Sequence, residues 1–395
     1  MRKMILTMLL VLALFVSPAY AAPAESENRE ADPEDILTDQ IDELNTADWE
    51  PYWKALQDQG MDISEGKSAK EMIRKLVTGQ FTLGWKDILD RILDVFFREF
   101  RPNLMLMAKI IVIATLCGLF KNMNDSFRNP SVGEVAYFAC YSIIVILILQ
   151  SLMSALEIGK TGIEQMTEFM QVLYPILLAM LTAVGNVTTS SVLQPAVGVL
   201  VGIVGTLLKD IMIPLITLSA VVHLISYISD RVQIKKLGKL LNQISVWILS
   251  FVFTIFVGVL TIQGAMTSSF DGLSVRTAKF ALDQFVPVVG KMLSQSMDTI
   301  IGCSILLKNA AGVTGLIIIG MLCLAPGMKI LTLMLLYKLS SALLEPITDQ
   351  RIVDCLDGIG SVLNVLFITV VGIALMFFLT VALIIGTGNA SLMGK

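Results

Sequence analysis

Apolar residues occupy this chain in long blocks separated by short polar stretches. Clear blocks cover about 104–120, 135–156, 191–208, 211–228, 244–264, 311–325, 328–344 and 359–386. Most come close to the ~20 apolar residues that a helix needs to cross a bilayer. Two stretches are weaker. Residues 172–185 are apolar but short, and 286–302 carry Lys291, Ser294, Gln295, Ser296 and Asp298. A bilayer offers no water to backbone groups, so spans like these satisfy their own hydrogen bonds as helices. The pattern predicts an all-α polytopic membrane protein with about 8–10 transmembrane helices.

The first residues read differently. Arg2 and Lys3 precede an apolar run from Met4 to Val16, Ser17-Pro18 breaks it, and Ala19-Tyr20-Ala21 supplies an A-x-A pattern. Residues 1–21 therefore read as a secretory signal peptide cleaved after Ala21, the alternative being a short uncleaved anchor. Either way the following residues start outside the cytoplasm. Residues 22–103 are expected to form an acidic, helical extracytoplasmic region. Asp32-Pro33 has the form of an N-cap followed by proline at the first helical position. Ser68-Ala69-Lys70-Glu71 is a capping box, and Gly79 is placed to end that helix. Over 85–100, Ile88, Leu89, Ile92, Leu93, Phe96, Phe97 and Phe100 make one apolar stripe opposite a charged face. Such a helix suits a membrane interface, or packing against the other short helices.

Basic residues set the orientation. The loop 229–243 holds Arg231, Lys235, Lys236 and Lys239, and positively charged loops stay in the cytoplasm. The two transmembrane helices within 104–156 then leave 121–134 inside and 157–170 outside. Reaching the cytoplasm again at 229 needs an odd number of crossings. So 172–185 is expected to cross along with 191–208 and 211–228, with Lys209 and Asp210 at a hairpin tip. If 286–302 also crosses, the tail 387–395 lies outside.

Two parts of the membrane region look alike, 160–264 and 276–386. Pro175 and Pro287 are 112 residues apart, as are Pro214 and Pro326. Asp230-Arg231 corresponds to Asp349 with Arg351, and Gly264 to Gly386. Four segments per unit is an even number, which predicts a parallel internal repeat. Proline removes a backbone donor, so the four proline breaks should face protein or a water-filled cavity. Lys291, Gln295 and Asp298 share a helical stripe and form the candidate polar cavity where the repeats meet. The bland reading is a buried network between kinked helices. Gly198, Gly202 and Gly205 form a small-residue face suited to close helix packing. His223, the one histidine, is expected to make a helix-to-helix hydrogen bond.

Composition narrows the function classes. The chain has 395 residues, 55% hydrophobic and 16% charged, with a net charge of -4. Residues 22–66 hold fourteen acidic residues against Arg29 and Lys54. That acidic arm argues against nucleic acid as a partner. The five cysteines form no C-x-x-C pair, so neither a disulfide framework nor a metal site is expected. No Walker A and no G-x-S-x-G sequence occurs. The residues thus predict no catalytic group and no cofactor.

Three stretches carry a resemblance: Tyr174-Pro175-Ile176-Leu177-Leu178-Ala179-Met180-Leu181, Ser190-Ser191-Val192-Leu193-Gln194-Pro195, and Gln263-Gly264. With the signal peptide, the acidic arm and the multi-span body, the chain resembles the stage III sporulation protein AE family of endospore-forming bacteria. The resemblance covers essentially the whole chain. It implies a component of the channel complex between mother cell and forespore, in the mother-cell (outer forespore) membrane, needed for late forespore gene expression. It also implies partners: the other stage III A-operon proteins, including the AA ATPase and the ring-forming AG and AH proteins, and forespore protein Q. A homo-oligomer is a further possibility, and the resemblance supplies no catalytic residues. Two rival classes stand beside this non-enzymatic platform. One is a secondary transporter, which the repeat and Lys291 with Asp298 would suit. The other is the permease subunit of an ATP-driven transporter.

Overall fold

The computed structural model describes residues 33–44, 46–58, 68–81, 84–124, 130–228, 234–267 and 289–393. Among them every regular element is a helix. Three short helices come first: α1 (Pro33–Glu43), α2 (Glu50–Asp58) and α3 (Ala69–Val77), with a single 3₁₀ turn at Ala47–Trp49. The Ser68 hydroxyl accepts from the Glu71 N–H at 3.2 Å and starts α3. Gly79, at φ +67°, ends it in the left-handed region that glycine enters without strain. Pro33 opens α1 as expected, while Asp32 and the signal peptide lie outside the described residues.

The long helices are α4 (Trp85–Asn124), α5 (Pro130–Ala183), α6 (Val187–Leu207), α7 (Ile213–Ile228), α8 (Lys235–Thr267), α9 (Val289–Leu344) and α10 (Gln350–Met393). A five-residue π-helical segment, Leu208–Met212, joins α6 to α7 without a turn. Among the described residues, six helical runs are long and apolar enough to cross a membrane. The apolar blocks are thus fewer and longer elements than the eight to ten spans expected. Residues 157–170 are not a loop, and 172–183 continue the same helix, because both lie within α5. Lys209 and Asp210 are not a hairpin tip; they sit in the π segment. The physical reason is lateral satisfaction. Lys209 Nζ meets Glu164 Oε1 of α5 at 2.8 Å, so the charges need no exit to solvent through a turn. Blocks 311–325 and 328–344 likewise merge into α9, which runs through Pro326.

α9, α10 and α5 make the centre, with α4 on one side and α6, α7 and α8 on the other. In their most apolar stretches 50% of α9 and 44% of α10 are buried, against 22% of α4. The bundle has two distinct ends. At the near end the C-terminus of α4 meets the N-termini of α5 and α10: Lys121 pairs with Asp349 at 2.8 Å and Tyr137 donates to Asp349 at 2.9 Å. At the far end α5 turns into α6 through Gly185, at φ +92°, and Ser190 donates to the Leu178 carbonyl. The short helices pack along the bundle between the middle and this end. Trp49 and Tyr52 meet Phe169 of α5 edge-on, and Gln40 bonds Ser304 of α9.

Small residues let the long helices approach. A Cβ on Gly315 would sit 2.6 Å from Leu173, and one on Gly162 would sit 2.8 Å from Pro326. Of the small face on α6, Gly205 lies against Thr167 and Gly198 near Tyr174, whereas Gly202 has open space. The packing register is therefore 198 and 205, two turns apart, rather than the G-x-x-x-G pair.

Candidate functional site

Polar side chains gather at two levels of the bundle. The first is the near end. Asp349 lies in the short connection between α9 and α10, with its side chain 8% exposed. Burial works against its charge, but bonds from Lys121, Tyr137 and the Arg351 N–H outweigh it and hold the carboxyl below its usual value. Thr348 beside it donates to the Ala114 carbonyl of α4 at 2.7 Å. On the first turns of α10, Asp354 pairs with Lys235 at 3.4 Å and Asp357 with Lys338 at 2.6 Å. Lys338 also donates to Ser361, and Lys235 lies 4.5 Å from the centre of the Tyr227 ring.

A groove of about 360 Å³ opens among these groups, lined by His223, Tyr227, Lys235, Lys239, Asp354 and Asp357 together with Asn242, Gly358 and Ser361. His223 is 5% exposed and bonds the Ser219 carbonyl one turn back at 2.8 Å. The bond is therefore within its own helix and not between helices. What crosses between helices is the ring itself, held between Gly238 of α8 and Gly358 of α10. A Cβ on either glycine would come within 2.7 Å and 2.9 Å of the imidazole.

The second level crosses the middle of the bundle. Glu164 of α5 pairs with Lys209 of the π segment, and Lys160 and Asp210 line a groove beside them. Gly162 faces Pro326, and Gly159 faces Ile330 and Leu366, so this level meets α9 at Pro326–Ile330. Lys209 stands nineteen residues before Ile228, the end of α7. That is about 28 Å of helix. The bundle continues well past this level. At the far side Lys308 of α9, fully buried, donates to the carbonyls of Ile384 and Ile385 of α10. On α4, Leu89, Leu93 and Phe97 of the 85–100 stripe are about half exposed, while Val95 is buried.

The residues singled out from the sequence fall into three groups. Pro175 lies inside α5, Pro326 inside α9, and Pro214 is the second residue of α7, directly after the π segment. The π segment is the break that Pro214 creates, since proline cannot donate in the helical ladder. Pro287 lies outside the described residues. Lys291, Gln295 and Asp298 sit on the first turns of α9, with their side chains outside the described residues. Sequence reasoning missed Lys308, whose only signal was a lysine interrupting an apolar run. It also missed the pairing of Asp354 and Asp357 with lysines of other helices, which no spacing announces.

The family signature of stage III sporulation protein AE matches residues 67–388. Stage III sporulation protein AE of Bacillus subtilis (strain 168) is 32% identical over 329 residues, which covers 83% of this chain and 82% of that protein. No solved structure matches the chain. The match runs from the capping box of α3 through α10, and on that extent the chain belongs to the stage III sporulation protein AE family.

Proposed function

We propose that this protein is a non-enzymatic, multi-pass platform of the mother cell–forespore channel complex, seated in the mother-cell membrane during endospore formation. Family membership is the observation that carries the reading. The arrangement of charge supports it. The near end gathers Lys121, Lys235, Lys239, Lys338 and Arg351, which suits the cytoplasmic face. The mid-level charges Lys160, Glu164, Lys209 and Asp210 stand about 28 Å from Ile228 at the end of α7, close to the ~30 Å thickness of a hydrocarbon layer, and about 40 Å from Tyr137 along α5. On this reading the outer bilayer surface lies at or beyond that level, since Val199 and Ile203 past it are exposed and apolar, and the far end carries α1, α2 and α3.

A far end of this kind is a docking surface. It carries the acidic short helices and the uncovered stripe Leu89, Leu93 and Phe97. Its partners on this reading are the ring-forming AG and AH proteins and, across the gap, forespore protein Q; the near end faces the AA ATPase. The test is purification of the chain from sporulating cells in mild detergent. Co-purification of an ATPase and of ring proteins is the expected result. Solute-coupled uptake by the protein alone in liposomes would overturn the platform reading in favour of a transporter.

A further inference from the structure

The groove beside the π segment grades in polarity. Its rim holds Lys160, Lys209 and Asp210, and its wall descends through Ile213, Pro214, Leu218 and Val221 toward the near end. Its volume is about 640 Å³. Lys209 and Val221 are twelve residues apart on one helical run. That is about 18 Å, close to half of a ~30 Å hydrocarbon layer. The wall faces outward: Leu218 is 51% exposed and Val221 40%. With the charged rim at the headgroup level, the apolar wall would run about the depth of one leaflet.

We infer that this groove binds one phospholipid of the outer leaflet, with its phosphate at Lys160 and Lys209 and an acyl chain along Leu218 and Val221. The rim also selects the head. Lys209 is already held by Glu164, while Lys160 makes no ion pair among the described residues. Asp210 places a carboxylate on the same rim. A rim with both signs fits a head with both signs, so an amine-bearing zwitterionic phospholipid is favoured over an anionic one. The amine meets Asp210 and the phosphate meets Lys160. The π segment carries both Lys209 and Asp210, directly before Pro214. π segments inside helices recur at functional sites.

Native mass spectrometry of the full chain tests this, after detergent exchange into an equimolar mixture of phosphatidylethanolamine and phosphatidylglycerol. The expected spectrum shows one phosphatidylethanolamine per chain, at least threefold above phosphatidylglycerol. Lys160→Glu and Val221→Trp should each lower the bound fraction at least fivefold, while Leu119→Trp on α4 leaves it unchanged. Glycerophosphoethanolamine, the same head without acyl chains, should not be retained. Thermal melting in detergent identifies a variant that fails to fold, and the other variant then decides. Absence of retained lipid overturns the proposal. So does equal retention of the two lipids, equal binding of the head alone, or normal binding in a folded groove variant.

Discussion

Asp349 joins three helices through one carboxylate, because Lys121 comes from α4, Tyr137 from α5, and Asp349 itself precedes α10. Asp349→Asn keeps the shape but removes the charge, and a hydrogen bond to a charged group contributes about 1.5–3 kcal/mol. Lys121 is 54% exposed, so its share is screened. A loss of about 1–2 kcal/mol is expected, read as a lower melting midpoint in detergent. The pH dependence has a definite sign. The folded carboxyl is held below its unfolded value, so its stabilisation is present above about pH 4 and is lost as pH falls further. The melting midpoint of the native chain should therefore fall more steeply below pH 4 than that of Asp349→Asn. Parallel curves would remove the carboxylate from the account. His223 offers a second residue-level check. Gly238→Leu drives a side chain into the imidazole and should destabilise strongly. If the clash is the cause, Gly238→Leu combined with His223→Ala should recover much of the loss, a coupling readable in a double-mutant cycle.

Helix α5 shows where the sequence could be read and where it could not. Its 54 residues give about 80 Å of helix, more than twice a hydrocarbon layer. The apolar blocks at 135–156 and 172–185 were visible, and so were the charges between them. What the sequence did not contain was the partner of those charges. Glu164 is answered by Lys209, forty-five residues away, and this pairing turns an apparent outside loop into mid-helix. The same rule explains α6 and α7, whose apparent hairpin tip is a π segment beside a neighbouring helix. Local signals fared better, since the Ser68 cap and the Gly79 stop depend only on adjacent residues. The candidate cavity was less legible, because three residues on one stripe say nothing about what faces them. At this scale α1–α3 yield a prediction. Trp49 is fully buried and lies edge-on to Phe169. Truncating a buried tryptophan costs about 3–5 kcal/mol, more than a small three-helix unit can lose. Trp49→Ala should free this unit from the bundle, so that limited proteolysis cuts between 44 and 84 while α4–α10 stay protected. Equal protease resistance in both proteins would show that Trp49 does not hold the unit in place.

For the whole molecule, the number of crossings decides which surfaces can meet which partners. On the proposed orientation, the six runs among the described residues would keep the near end cytoplasmic by its Lys and Arg residues and put the C-terminus outside, as ten crossings would. The segment before α6 separates the two counts. With 172–185 as its own crossing, the segment before α6 would face the cytoplasm. With α5 as a single helix, the same segment lies at the far end, outside. Ala183 is exposed at the last residue of α5, two residues before Gly185. A single cysteine there, in a chain whose five native cysteines are replaced by serine or alanine, should react with a membrane-impermeant maleimide added to intact protoplasts. A cysteine at Lys239 in the same background should react only after permeabilisation. Protection of Ala183→Cys until permeabilisation would restore the additional crossing and place the far tier on the cytoplasmic side. The tier carrying α1–α3 could then no longer reach across to a partner in the opposing membrane.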